Sequence, residues 1–189
     1  MKKELLQQLG INTNVDIDAK ELMHVLAFPQ EYGISDHSEK NIEHLLQFIR
    51  DYDEEKEPLS GESIITPGQA ASIMWPTLRY LPTEEVWIIL LNSTNVPLRK
   101  QKMAQGDMNR TIIPTREILR TALIERASSI IVYHNHPSGN PKPSMADIKE
   151  TDKLHEVCET LGINLLDHII IANDKAYSFT EEETITLFV

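Results

Sequence analysis

Two kinds of hydrophobic spacing divide the chain. In the first third, Leu22, Val25 and Leu26 follow Asp18, and Ile42, Leu45, Leu46 and Ile49 follow Ser38. Steps of three and four are the period of amphipathic helices, so residues 1–62 are expected to be helical. Phe28-Pro29 ends the first of these helices, and the acidic, proline-terminated stretch from Asp51 to Pro58 is expected to be a linker. From Ser63 onward, short apolar runs alternate with helical stripes. Ile64-Ile65 is short and extended, and Thr66-Pro67 supplies an N-cap and first-turn pair for a helix to about Tyr80, kinked at Pro76. Glu84 to Leu91 is an almost unbroken apolar run, as in a strand buried on both faces. Asn92 to Asn95 turns the chain into a partner strand from Val96 to Ala104. Pro114 opens a helix with Ile118, Leu119, Ala122 and Leu123 on its stripe, feeding a strand at Ile130-Ile131-Val132. A third helix follows Ser144, with Leu154, Val157, Cys158 and Leu161 inward and Gly162 as its stop. Leu165 to Ile171 and Ala176 to Phe179 form a last strand pair about the turn Asn173-Asp174. The alternation predicts an α/β domain over residues 63–189 and a separate helical segment over 1–62.

Composition adjusts this picture in three places. With 189 residues, 41% hydrophobic and 25% charged, the chain suits one ordinary domain with a small appendage. Its single cysteine, Cys158, excludes an internal disulfide framework and suits a reducing compartment. Met1-Lys2-Lys3 runs into Glu4 and Gln7-Gln8 rather than an apolar leader, and no apolar run reaches bilayer-spanning length, so the expectation is a cytoplasmic protein without a membrane partner. The net charge of −11 is concentrated at the front: residues 1–62 carry 14 acids against 6 Lys and Arg. Such an acidic segment lacks the cationic footprint of nucleic-acid binding. Arg99, Lys100, Lys102 and Arg110 make one local basic neighbourhood, expected as a solvated hairpin, with a substrate-guiding patch as the lesser option.

Chemistry gathers in Tyr133-His134-Asn135-His136-Pro137-Ser138-Gly139-Asn140-Pro141-Lys142-Pro143-Ser144-Met145-Ala146-Asp147. Two positions apart on an extended backbone, His134 and His136 leave the same face. A loop with three prolines then reaches a helix start that returns Asp147 towards them. Two imidazoles and a carboxylate suit a divalent transition metal, above all zinc, one per chain; three protein ligands leave a fourth position open, as in catalytic sites. Ser144 and Asp147 are also spaced as a capping box, and capping alone would account for both.

His-x-His, seven residues, Ser, two residues, Asp resembles the motif of the JAMM (JAB/MPN) metalloprotease domain. The wording His134-Asn135-His136-Pro137-Ser138-Gly139, with Pro143-Ser144 and Asp147, is similar to its RadC-type branch. Pro114-Thr115-Arg116-Glu117-Ile118, Ala127 and Leu166-Asp167-His168-Ile169-Ile170 extend the likeness, which covers roughly Ser63 to Phe179. The resemblance implies a JAB/MPN-type, cytidine-deaminase-like mixed sheet flanked by helices. It implies zinc on His134, His136 and Asp147, Glu84 as general base and Ser144 as oxyanion donor. It further implies a hydrolase that cleaves peptide or isopeptide bonds in a protein or peptide substrate with a metal-activated water. His168 matches a family position outside the metal set and is expected to be a structural histidine hydrogen-bonded within the sheet. Periodicity does not choose between Glu84 and Glu85; the family pattern, with Leu91-Asn92 setting the register, favours Glu84.

Longer RadC-type chains carry a helix-hairpin-helix module ahead of this domain, whose glycine-rich hairpins cradle DNA phosphates. Residues 1–62 hold only Gly10, Gly33 and Gly61 and no Gly-x-Gly, so a helical cap or partner surface is expected there instead. Other zinc chemistries fail on ligands: there is no His-Glu-x-x-His, and one cysteine cannot make the Pro-Cys-x-x-Cys of nucleobase deaminases. The letters His-Asn-His are contiguous here, unlike the dispersed triad of the HNH nucleases. Two further readings stand beside the hydrolase: a DNA-repair protein, the role for which the family was named, and a metal-binding scaffold without turnover.

Overall fold

A computed structural model describes residues 61–106 and 113–187. The helices expected before Ser63, the linker and Arg110 lie outside the described residues. Among the described residues nine elements follow in order: α1 (Pro67–Leu78), β1 (Glu85–Leu91), β2 (Pro97–Gln105), α2 (Thr115–Ile124), β3 (Ser129–Asn135), α3 (Met145–Leu161), β4 (Asn164–Ala172), β5 (Lys175–Ser178) and β6 (Glu183–Thr186). The strands form one six-stranded sheet in the order β2-β1-β3-β4-β5-β6. β3 and β4 run parallel, joined across α3, and the other neighbours are antiparallel. This is the mixed α/β architecture, a sheet flanked by helices, that the alternating pattern predicts.

Local chemistry explains the helix limits. Thr66 accepts a hydrogen bond from Gln69 N at 3.2 Å, while the Gln69 amide oxygen accepts from Thr66 N at 3.1 Å, closing a capping box with Pro67 in the first turn. Pro76 is accommodated inside α1. At the far end of α3, Gly162 takes φ 69°, a left-handed cap that a side chain would resist. No helix of the described residues is long and apolar enough to cross a membrane.

The sheet buries both faces. On one, Trp87, Ile89, Leu91, Ile131, Tyr133, Ile169 and Ile171 pack under α1 through Ala70, Ala71, Met74 and Leu78. On the other, Val86, Ile88, Leu90, Ile130 and Val132 meet Ile118, Leu119 and Ala122 of α2 and Leu154 and Cys158 of α3. Each such aliphatic side chain withdrawn from water contributes ~1.5–3 kcal/mol.

Two apolar expectations are corrected here. Leu123 is 53% exposed, turned away from the buried stripe of Ile118, Leu119 and Ala122, and Leu161 is 43% exposed in the last turn of α3, beyond its last buried residue, Cys158. β6 is a strand that the hydrophobic pattern does not predict. Among its residues only Ile185 packs against the core, so no apolar run announces it.

Candidate metal centre

The site grows from the ends of the two central strands. Val86 pairs with His134 across β1 and β3, so these residues share a face, and alternation puts Glu84 on that face and Glu85 on the other. Glu85 is buried against the Trp87 side: one carboxylate oxygen accepts from the indole Nε1 at 2.8 Å and the other pairs with Lys102 at 3.1 Å. Glu84 lies one residue before β1, half-buried. Its negative charge is felt at His136, where it favours the protonated imidazole.

Asn135, between the two histidines, points away from them and clamps this segment. Its side-chain oxygen accepts from Glu85 N at 2.8 Å, and its amide donates to Thr83 O at 2.9 Å. Glu84 O also accepts from Gly106 N at 2.9 Å, so the backbone of the acid is held on both sides. Composition and spacing gave no sign of this role; the only clue was an amide placed between two candidate ligands.

Beyond β3 the chain stays tied to β4, with His136 N donating to Ile171 O at 2.9 Å. It then turns at Gly139, whose N–H returns to His136 O at 3.0 Å. Gly139 has φ 73°, and an added Cβ would come within 2.6 Å of the Asn173 side chain, so a glycine fits this turn best. The loop delivers Ser144 as N-cap of α3. Its hydroxyl accepts from Asp147 N at 3.2 Å and Asp147 Oδ2 accepts from Ser144 N at 2.6 Å, the capping box that the spacing suggested.

Three side chains thereby converge. His134 Nε2 lies 2.9 Å from His136 Nε2 and 3.5 Å from Asp147 Oδ1, and His136 Nε2 lies 3.6 Å from Asp147 Oδ2. Tetrahedral ligands at zinc bond lengths stand ~3.3 Å apart. The observed separations straddle that value. His136 donates its Nδ1–H to Asn140 O at 2.8 Å, leaving Nε2 to face the centre. Borderline nitrogen donors with one carboxylate oxygen therefore fit a zinc ion in both chemistry and spacing.

The electrostatics match a site built for a cation. Burial, then the neighbouring His136, pushes the His134 pKa down to about 3 despite Asp147, so the ring is neutral and its lone pair available. Burial alone would lower His136, but the Asp147 hydrogen bond, the Asn140 carbonyl and the charges of Asp147 and Glu84 more than offset it and raise the pKa. Asp147 is desolvated too, which favours its neutral form, yet hydrogen bonds from His136 and Ser144 hold it well below the usual carboxylate range.

His168, on β4, is hydrogen-bonded as a buried sheet histidine should be, but its partners are particular. Its Nε2 meets His134 Nδ1 at 2.7 Å, its Nδ1 meets Thr151 Oγ1 at 2.6 Å, and Phe179 stacks on the ring at 4.6 Å. The basic hairpin is largely neutralised: Lys102 pairs with Glu85, Arg99 with Glu125, and Lys100 lies 6.0 Å over the Trp87 ring.

The RadC-like JAB domain family model matches residues 64–184. Among curated relatives, the UPF0758 protein of Staphylococcus epidermidis is 44% identical over 118 residues, 62% of this chain and 52% of its own length. The UPF0758 protein of Methanosarcina acetivorans is 38% identical over 119 residues, 63% of this chain and 52% of its own. That of Desulforudis audaxviator is 38% identical over 120 residues, 64% and 52%. The chain spans about half the length of the curated relatives it matches. The matched region takes in the sheet from β1 to β5, helices α1 to α3 and the His134, His136 and Asp147 cluster, and the chain belongs to the RadC-like JAB domain family.

Proposed function

We propose that this chain is a zinc-dependent hydrolase of the JAMM type that cleaves a peptide or isopeptide bond in a protein substrate. The observation that carries the reading is the convergence of His134, His136 and Asp147, with a further acid, Glu84, on the same face of the sheet. JAB domains are often metalloproteases, which agrees with it. His134, His136 and Asp147 are the ligands of one ion. Zinc at this position supplies Lewis acidity and brings the pKa of a water molecule towards neutrality.

The chain's own groups do the rest. Glu84, held through its backbone, takes the proton of the attacking water and returns it to the leaving amine, so the acid ends each cycle as it began. Ser144 is exposed, and its oxygen accepts the Asp147 N–H, which leaves the hydroxyl proton to be donated. That proton stabilises the carbonyl oxygen as negative charge develops there. Capping and catalysis thus use different lone pairs and protons of one hydroxyl.

The test is elemental analysis of the full chain together with a peptide-library cleavage screen, with and without chelator. One zinc per chain and chelator-sensitive cleavage are expected, with both lost in His136→Ala. Full metal retention by His136→Ala would sink the assignment.

A further inference from the structure

A carbonyl oxygen can only accept hydrogen bonds, and that fact orders a buried chain of groups behind the metal centre. Thr151 Oγ1 lies 2.6 Å from Asp147 O, one turn back along α3, so the single hydroxyl proton of Thr151 points to that carbonyl. The hydroxyl oxygen then has only lone pairs to offer His168 Nδ1, 2.6 Å away, and His168 must donate there. A neutral imidazole that donates from Nδ1 accepts at Nε2. His168 Nε2 faces His134 Nδ1 at 2.7 Å, so His134 in turn donates from Nδ1. His134 is left with a bare lone pair on Nε2, the atom that meets His136 and Asp147.

Both rings are buried in the sheet, His134 at 4% exposure. His168 and Thr151 are 1% and 8% exposed, so water does not compete for these bonds. Phe179 lies parallel to His168 at 9° and holds the ring plane.

We propose that Thr151, acting through His168, fixes the tautomer of His134 and so presents its Nε2 to the metal ion. Both are positioning residues, and the inference rests on His134 being a ligand. The relay differs from the carboxylate that often backs a ligating histidine: a neutral imidazole orients the ring without adding negative charge, which leaves a bound ion the stronger Lewis acid. It also begins and ends on ligand residues, since the carbonyl that sets its direction belongs to Asp147. The first turn of α3, the end of β3 and the middle of β4 are thereby locked to one another.

Thr151→Val removes the hydroxyl with almost no change of shape. His168 then loses its acceptor and is expected to move its proton to Nε2, which turns His134 round and places a proton on the ligating nitrogen. Zinc affinity, measured by competition with a chromophoric chelator on the full chain, should fall ~10–100-fold. Thr151→Ser should restore most of it. Long-range proton–nitrogen correlation spectra of the histidine rings should show His134 and His168 both protonated on Nδ1 in the wild type and both switched in Thr151→Val. Wild-type zinc affinity in Thr151→Val, or His134 protonated on Nε2 in the wild type, would overturn this inference alone. A wild-type chain that takes up no zinc would overturn the metal reading and this inference with it.

Discussion

β1, β3 and β4 present similar apolar side chains to both sides of the sheet, yet the two sides finish differently. Under α1 the apolar surface is broken by two buried acids, and both are satisfied: Glu85 by Lys102 and the Trp87 indole, and Asp167 by the Ser178 hydroxyl and the His168 and Thr180 N–H groups. On the opposite side, towards α2 and α3, the apolar layer stops at Val86 and Val132, and His134, His168 and Thr151 take over. One face closes with acids whose partners satisfy them; the other ends in lone pairs that converge. Adjacent residues at the entry to β1 thus meet opposite fates, and alternation alone separates a structural acid from a candidate catalytic one.

That contrast can be broken most sharply at the two glutamates. Glu84→Gln should lower hydrolysis by ~10²–10⁴-fold, the usual contribution of general acid–base catalysis, with zinc content unchanged. Glu85→Gln should leave turnover close to wild type and register instead in thermal unfolding, because it weakens the pairing of a buried carboxylate with Lys102. If Glu85→Gln is the inactive variant, the two faces have exchanged roles. Ser144→Ala should reduce kcat by ~10²-fold with little change in KM, as for other oxyanion donors. Steady-state kinetics separate this from a mere capping loss, which would appear as ~1 kcal/mol of stability. The smallest effect belongs to the closed face, where Ile131→Val should cost ~0.5–1.5 kcal/mol in denaturant unfolding and leave zinc affinity untouched.

Much of this was legible in the residues. Proline, threonine and glycine mark the helix limits because their preferences act locally, and the continuous apolar run of β1 could belong only to a central strand. The His-x-His spacing and the acid at the next helix start were equally local. What escaped was decided across the sheet. A run apolar on both faces cannot say which of Glu84 and Glu85 shares the face of His134; that follows only from the pairing of Val86 with His134, two residues on from Glu84. Asn135 and Thr151 were silent because amides and hydroxyls have too many ordinary uses for type or spacing to mark them. Leu123 and Leu161 are exposed because an apolar residue at the margin of a stripe or in the last turn of a helix need not meet the layer beneath it.

The sheet register also separates two kinds of assembly. His134, His136 and Asp147 belong to one short stretch of chain, and closing so small a loop costs little entropy. The group that holds the segment of Glu84 acts across 50 residues, and the bond from His168 to His134 across 34. Such contacts form only when β1 and β4 have docked on β3, late and together. A nascent or partly unfolded chain can therefore gather a metal-sized cluster of donors well before an acid stands beside it. On the proposed reading, the donors of the metal gather before the acid does, and no complete site exists until the sheet is closed.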